Sequence, residues 1–241
     1  FMHPAIDQIL NHAGRMRNRT RGRLTCPIVF RAPYGGGIRA PEHHSESYEA
    51  LFAHMPGLRV VIPSSPQKAY GLLLAAINDP DPVVFLEPKR IYRSVKQTVP
   101  DNGEALPLDT AFISRAGDDI TLISWGAMLS ETLKATDTLA EQGISAEVID
   151  VASIKPLDTN TIINSVEKTG RCVIVHEAHR NVGVGAEISA QIMEYAFDAL
   201  EAPVQRVTGY DTVMPYFKLE DHFLPNPTRI VSAVNQIMEY A

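Results

Sequence analysis

Cysteine is scarce: Cys26 and Cys172 are the two in 241 residues. Two thiols make no disulfide framework, and each sits in an apolar run (TCPIVF and CVIV), so buried reduced cysteines and a reducing compartment are expected. Long hydrophobic runs are missing as well. Nothing approaches the ~20 apolar residues that cross a bilayer, and the amino-terminal stretch has no block of the secretory kind. No internal repeat and no low-complexity segment occurs. Basic residues are outnumbered, 22 Lys and Arg against 28 Asp and Glu, and the formal net charge of −6 disfavours nonspecific binding to nucleic acid or an anionic membrane. The chain opens on Phe1 with Met2 behind it, either a start after a scar or an internal position of a longer chain.

Against these absences stands a substantial core. The chain is 45% hydrophobic and 21% charged, and its length suits about two domains. Pro4 suits a first helical turn, and Ile6, Ile9, Leu10 and Ala13 fall on one stripe. Arginines at 15, 17, 19, 21 and 23 alternate beside Gly22, as in a solvated helix end or a docking face for an acidic partner. Pro27–Phe30, Leu58–Ile62 and Val83–Leu86 read as buried strands. Ser45 is placed to cap a short helix through Phe52, and Ser65 with Pro66 opens a longer one that ends near Asp79-Pro80. From Ile91 to Pro107 the pattern breaks into polar residues, prolines and a glycine, which marks a linker. Beyond it, strands at Ile120–Ser124, Ala146–Asp150, Cys172–His176 and Val204–Val207 alternate with helices. Those helices are expected around Met128–Gln142, from Asp158 to Lys168, over Glu187–Leu200 and from Asn226 or Pro227 to Met238, with Gly143 and Gly170 as stops. Continuous apolar strands alternating with helices predict an α/β chain whose parallel sheets are covered on both faces.

The natural place for chemistry is Arg31–Ser47, RAPYGGGIRAPEHHSES, a long polar loop between regular elements. Its triple glycine is followed by Ile38-Arg39 rather than the Lys and Ser/Thr of a phosphate loop. His43 and His44 lie between Glu42 and Glu46; with those carboxylates or His54 they could ligate a metal, but no HExxH or CxxC spacing supports this. The pair reads as surface polar residues or as acid–base machinery, since histidine titrates near neutral pH. Asp79-Pro80-Asp81-Pro82 reads as a turn or, with helix-terminal carbonyls, as oxygen ligands for a hard cation. His176-Glu177-Ala178-His179 closes a strand, where ligand crevices form in parallel sheets. Gly183-Val184-Gly185-Ala186-Glu187-Ile188 misses the third glycine of a dinucleotide fingerprint and reads as a close backbone approach.

Several long passages are similar to those of a known family: PAIDQI, FRAPYGGGIRAPEHHSES, AHMPGLRVVIPSSP, GLLLAAINDPDPVVFLEPKRIYR, VIDVASIKPLD and GYDTVMP. Over its whole length the chain resembles the β subunits of thiamine-diphosphate-dependent 2-oxo acid dehydrogenases. The resemblance implies an α/β fold with a partial pyrimidine-binding, transketolase-like parallel-sheet domain over residues 1–93. A linker over 94–107 and a transketolase C-terminal-like α/β domain over 108–241 would follow. It also implies oxidative decarboxylation of a 2-oxo acid, with acyl transfer to the lipoyl arm of a dihydrolipoyl acyltransferase core. Thiamine diphosphate with Mg2+ would be held mainly by an α subunit, in an α2β2 heterotetramer with a second β subunit; no nucleic acid and no membrane is expected as a partner. Phe1 falls where the family packs an aromatic ring on the aminopyrimidine, and His44 falls on the histidine that assists acyl transfer. Ile28, Ala76, Ile77, Asp79 and Asp81 fall on a potassium (K+) site of some members, with Asp81 standing in place of an asparagine. FLEPKRIYR and PAIDQI look closer to the branched-chain (2-oxoisovalerate) members. Pyruvate or acetoin members are the alternative, and a non-catalytic module docking the acyltransferase core is the alternative of another class. Members of the family extend about 80 residues ahead of Phe1, much of a domain. That segment carries the glutamate that activates the cofactor, so this chain alone is expected to be inactive. The expected location is the bacterial cytoplasm or, in a eukaryote, the mitochondrial matrix.

Overall fold

The computed structural model describes residues 2–40 and 42–240. The amino end is helical in short pieces: a 3-10 turn over His3–Ala5, a π-helical stretch over Gln8–Ala13, and α1 (Met16–Arg19). The expected stripe is there, with Ile9 and Ala13 buried, but the helix widens so that Gly14 N–H donates to the Ile9 carbonyl at 2.9 Å. Most of the basic run stays local, Arg17 excepted, which reaches Asp81. Arg15 and Arg19 donate to Asn11, and Arg23 donates to the Thr20 carbonyl.

The first sheet holds β1 (Val29–Tyr34), β2 (Arg59–Val61) and β3 (Val83–Pro88), in spatial order β1-β3-β2 and all parallel. Between them lie α2 (Glu49–Ala53) and α3 (Pro66–Asn78). Ser65 caps α3 as expected, its hydroxyl accepting the Lys68 N–H, with Pro66 in the first turn. Alternate residues of the strands bury on opposite faces. Val61, Val83 and Phe85 pack with Leu72 and Ala76 of α3, while Val60, Val84 and Leu86 pack with Phe52 and the second half of the chain. That two-sided burial is why these strands read as unbroken apolar runs. β1 runs further than expected, to Tyr34 through Pro33. It pairs with β3 alone among the described residues, and an open edge tolerates a residue with no N–H to give.

Residues 92–111 carry neither helix nor strand. The second sheet then forms from β4 (Phe112–Arg115), β5 (Ile120–Ser124) and β6 (Ala146–Asp150), joined after a crossover by β8 (Cys172–His176) and β9 (Gln205–Thr208). Its order is β4-β6-β5-β8-β9, parallel except for the edge strand β4. Helices α4 (Met128–Glu141) and α8 (Pro227–Met238) cover one face through Leu129, Leu139, Ile230 and Val234. On the other face lie α5 (Thr159–Thr169) and α6 (Val184–Tyr195). α5 is capped by Asp158 and stopped by Gly170 in the left-handed conformation, as expected. α6 starts before the expected Glu187, with Gly183 at its cap position, and a 3-10 turn over Phe197–Ala199 follows it. The short α7 (Glu220–Phe223) precedes α8.

The two sheets share one core. Val60, Val84 and Leu86 of the first sit in the same cluster as Ile123, Ile149 and Ile174 of the second, with Ile162, Val166, Ile188 and Ile192 of the helices. A strand absent from the sequence reading, β7 (Ser153–Lys155), leaves the second half of the chain and pairs antiparallel with β2 as the fourth strand of the first sheet. Beside it, the fully buried Asp150 at the end of β6 receives Lys68 Nζ of α3 at 2.7 Å and the Ser64 hydroxyl. No helix among the described residues is long and apolar enough to cross a membrane.

Removing one partner of a buried ion pair leaves an uncompensated charge. Lys68→Met is therefore expected to cost about 3–5 kcal/mol in unfolding free energy. Urea unfolding checks this, and adding Asp150→Asn to the variant should recover a large part of the loss.

Candidate active site

At the carboxyl end of β1 the chain leaves the sheet through Gly35-Gly36-Gly37, with Gly35 and Gly37 at φ 82° and 85°, a conformation glycine adopts without strain. The loop closes on itself. Gly35 N–H donates to the Glu46 carbonyl at 3.1 Å, Ser45 N–H to the Glu42 carbonyl at 2.9 Å, and the Ser45 hydroxyl to the Ala40 carbonyl at 2.6 Å. Ser45 therefore does not cap a helix as expected: its hydroxyl is already engaged inside the loop, and α2 starts only after Tyr48. The histidines lie on a 3-10 turn over Glu42–His44, both exposed, their rings 4.4 Å apart. Lys89 Nζ, just past β3, donates to the His44 carbonyl. No group of three or more His, Cys, Asp or Glu side chains among the described residues is arranged to hold a metal ion.

Each glycine makes room for a different neighbour. Gly36 N–H donates to Glu177 Oε2 at 2.8 Å. A Cβ on Gly35 would stand 2.6 Å from Glu177 Oε1, one on Gly36 2.7 Å from Met214 Cε, and one on Gly37 2.5 Å from Arg90 Cδ. Glu177 follows β8 directly and is buried. Burial pushes its carboxyl above the ordinary range, while the Gly36 N–H, Arg90 and Lys89 pull it back. Lys89 in turn is lowered by its own burial, against the attraction of Glu177 and Glu220. With the Gly36 N–H given to Glu177 and the Gly35 N–H to the Glu46 carbonyl, neither is free for the diphosphate of a thiamine cofactor.

Behind the loop lies a buried polar layer between the sheets. Tyr34 and Glu49 from the first half face Trp125 and Glu177 from the second, and the Tyr34 hydroxyl, the Glu49 carboxyl and the Trp125 N–H stand close without reaching hydrogen-bond geometry. Burial raises the Glu49 carboxyl to about 7. Trp125 stacks on His176 with centroids 5.1 Å apart and planes 10° from parallel. Burial, and then Arg206, lower His176 to about 3, which favours the neutral ring in this packed position. The glycines at 183 and 185 open space for that ring: a Cβ on Gly185 would lie 2.6 Å from His176 Nε2. This is the close approach expected there. His179 donates from Nε2 to the Thr212 carbonyl at 2.9 Å.

The residues assigned by resemblance to a K+ site meet at one corner. Asp79 accepts Arg59 Nε at 2.8 Å and Asp81 accepts Arg17 Nε at 2.7 Å. The Ile28 carbonyl accepts the Val83 N–H and the Ala76 carbonyl accepts the Asp79 N–H, while Ile77 is exposed on the last turn of α3. Two guanidinium groups thus stand against the carboxylates assigned to that site. Phe1, assigned to the aminopyrimidine, lies outside the described residues.

Comparison with known proteins agrees with this architecture. Residues 1–95 match the transketolase pyrimidine-binding domain and residues 109–230 the transketolase C-terminal domain. The chain is 48% identical over 237 residues to the pyruvate dehydrogenase E1 component subunit beta of Acholeplasma laidlawii, covering 98% of this chain and 72% of that protein. It is 45% identical over 240 residues to the same-named subunit of Bacillus subtilis (strain 168), covering 100% and 74%. The chain belongs to the β subunits of the thiamine-diphosphate-dependent 2-oxo acid dehydrogenases. It is thus an oxidoreductase subunit. A solved structure described as "Split gene transketolase, inactive beta4 tetramer" superposes with a TM-score of 0.75 at 23% identity, over 96% of this chain and 74% of that one, which supports the transketolase-like fold.

Lys89 was not among the expected site residues, and Glu177 stood out only as part of the strand-closing His176–His179 stretch, with no sign of its partner in the glycine loop. Gly36 and Glu177 are 141 positions apart. Glu49 yields a test of the buried layer. Its folded pKa of about 7 stands above the ordinary 4.5, so its stabilising contribution is full below pH 4.5 and is lost as pH rises toward 7. Glu49→Gln removes that decline. Between pH 4.5 and 8 the variant should gain on the order of 3 kcal/mol relative to the parent chain, read by urea unfolding.

Proposed function

We propose that this chain is the β subunit of a pyruvate dehydrogenase, supplying half of an active site that a partner α subunit completes. The names of its relatives support pyruvate over the branched-chain 2-oxo acids expected from FLEPKRIYR and PAIDQI. The observation that carries the reading is the presentation of His44. It is an exposed titratable ring on a loop tied to both sheets, at the carboxyl end of a parallel strand, where ligand crevices form.

Thiamine diphosphate, when bound with Mg2+, supplies the electron sink for decarboxylation. In our reading the α subunit holds the diphosphate, which the engagement of the Gly35 and Gly36 N–H groups inside this chain supports. His44 moves a proton during transfer of the acyl group to a lipoyl arm, standing close enough to solvent to meet an incoming acceptor. Next to it, Met214 touches Gly36 on a segment that exposes Tyr210, Val213, Tyr216, Phe217 and Leu219. Apolar exposure of this extent beside the loop suits a subunit contact.

The full-length β subunit, co-expressed with its α subunit, tests both parts. We expect kcat/KM for pyruvate to exceed that for 2-oxoisovalerate by about tenfold or more, roughly what small differences in an apolar pocket deliver. Equal or reversed preference removes the assignment. His44→Ala is expected to slow lipoyl acylation by about 100-fold or more, with α–β assembly intact by size-exclusion chromatography. Unchanged acylation takes His44 out of the chemistry and favours an assembly module.

A further inference from the structure

Resting on that reading, we propose that Glu177 is a positioning residue for His44 and that Lys89 is its counterpart at the far end of the loop. The His44 ring has no hydrogen-bond partner among the described residues and touches the neighbouring His43 ring, so the backbone determines where it stands. Several contacts hold that backbone from within the loop. Among the described residues two come from outside: the Glu177 carboxylate on Gly36 N–H, and the Lys89 ammonium on the His44 carbonyl.

Both outside anchors stand on rigid ground. Glu177 directly follows β8, whose last residue His176 is in register with Thr208 of β9, and its side chain is buried. Lys89 directly follows β3, whose Pro88 is in register with Tyr34 of β1. The anchors also act on each other, because the Glu177 carboxylate attracts the Lys89 ammonium. Losing the Glu177 side chain would free the Gly36 N–H, the contact that fixes the start of the loop. A charge in this place is a poor source of stability, since an apolar side chain of similar size avoids its desolvation cost. Its geometric consequence is larger: one backbone N–H at the start of the loop is aimed at one oxygen, and a displacement on the order of 1 Å at a reacting group can cost about a hundredfold in rate.

The variants are Glu177→Ala, Glu177→Gln and Lys89→Met in the full-length β subunit. Amide hydrogen exchange over residues 35–46 reads loop position directly and needs neither cofactor nor substrate. In Glu177→Ala these amides should exchange about tenfold faster or more, while Glu177→Gln, which keeps an oxygen for Gly36 N–H, should stay within about threefold of the parent. In the assembled enzyme, lipoyl acylation by Glu177→Ala should fall at least about tenfold further than decarboxylation measured with an artificial electron acceptor. Lys89→Met should show the same split, and Glu177→Gln should restore most of the acylation rate. Unaltered loop exchange in Glu177→Ala overturns the proposal, as does an equal fall of both half-reactions in every variant. If the parent enzyme decarboxylates no 2-oxo acid, the functional assignment fails, and the exchange experiment still decides whether Glu177 holds the loop.

Discussion

One buried hydrogen bond joins the two halves of the site: Gly36 N–H to the Glu177 carboxylate, 2.8 Å across the boundary between the sheets. A carboxylate without water must be satisfied by donors and opposite charge. Here a backbone N–H, Lys89 and Arg90 provide both, and Glu220 opposes them. The packing around it also bears on the composition of the loop: a Cβ on Gly35 would press on Glu177, one on Gly36 would have to displace the Met214 methyl and one on Gly37 the Arg90 side chain. The triple glycine, which in isolation invites a phosphate-binding reading, is a seat for an internal carboxylate.

That seat works because the two sheets are packed on one shared core. The cluster containing Val84 and Leu86 also contains Ile123 and Ile174, β7 crosses from one half to the other, and Lys68 meets Asp150 beside it. Between hydrophobic core and loop lies a polar layer of Tyr34, Glu49, Trp125, His176 and Glu177, buried and sparsely hydrogen bonded. Such a layer is costly in stability. It sits under the loop that bears the proposed acid–base residue, where a fixed geometry is worth more than a favourable core.

Much of the architecture was legible in the residues. β5, β6 and β8 fall where their apolar runs predict, and the caps at Ser65, Asp158 and Asn226 are those their side chains are built to make. The misreadings share a cause. Ser45 is as good a capping residue as Ser65, yet a carbonyl five positions back takes its hydroxyl first. The expected strand stopped at Phe30, whereas β1 continues through Pro33, which its free side among the described residues tolerates. β7 is three residues long, and its pattern carries no sign that its partner precedes it by about 90 positions.

The amino-acid sequence by itself determined the α/β class, the order of most elements, the loop that holds the histidines and the family. All of these rest on signals that repeat within a turn of helix, a pair of strand residues or a contiguous motif. Tertiary structure alone decided what the loop rests on. It made His176 a buried packing partner and gave its neighbour Glu177 the loop contact, engaged Asp79 and Asp81 with arginines, and brought Lys89 to the His44 carbonyl. Those outcomes depend on which side chains meet across the sheet boundary and which lose their water there. Neither is a property of any stretch of chain until the two sheets have packed together.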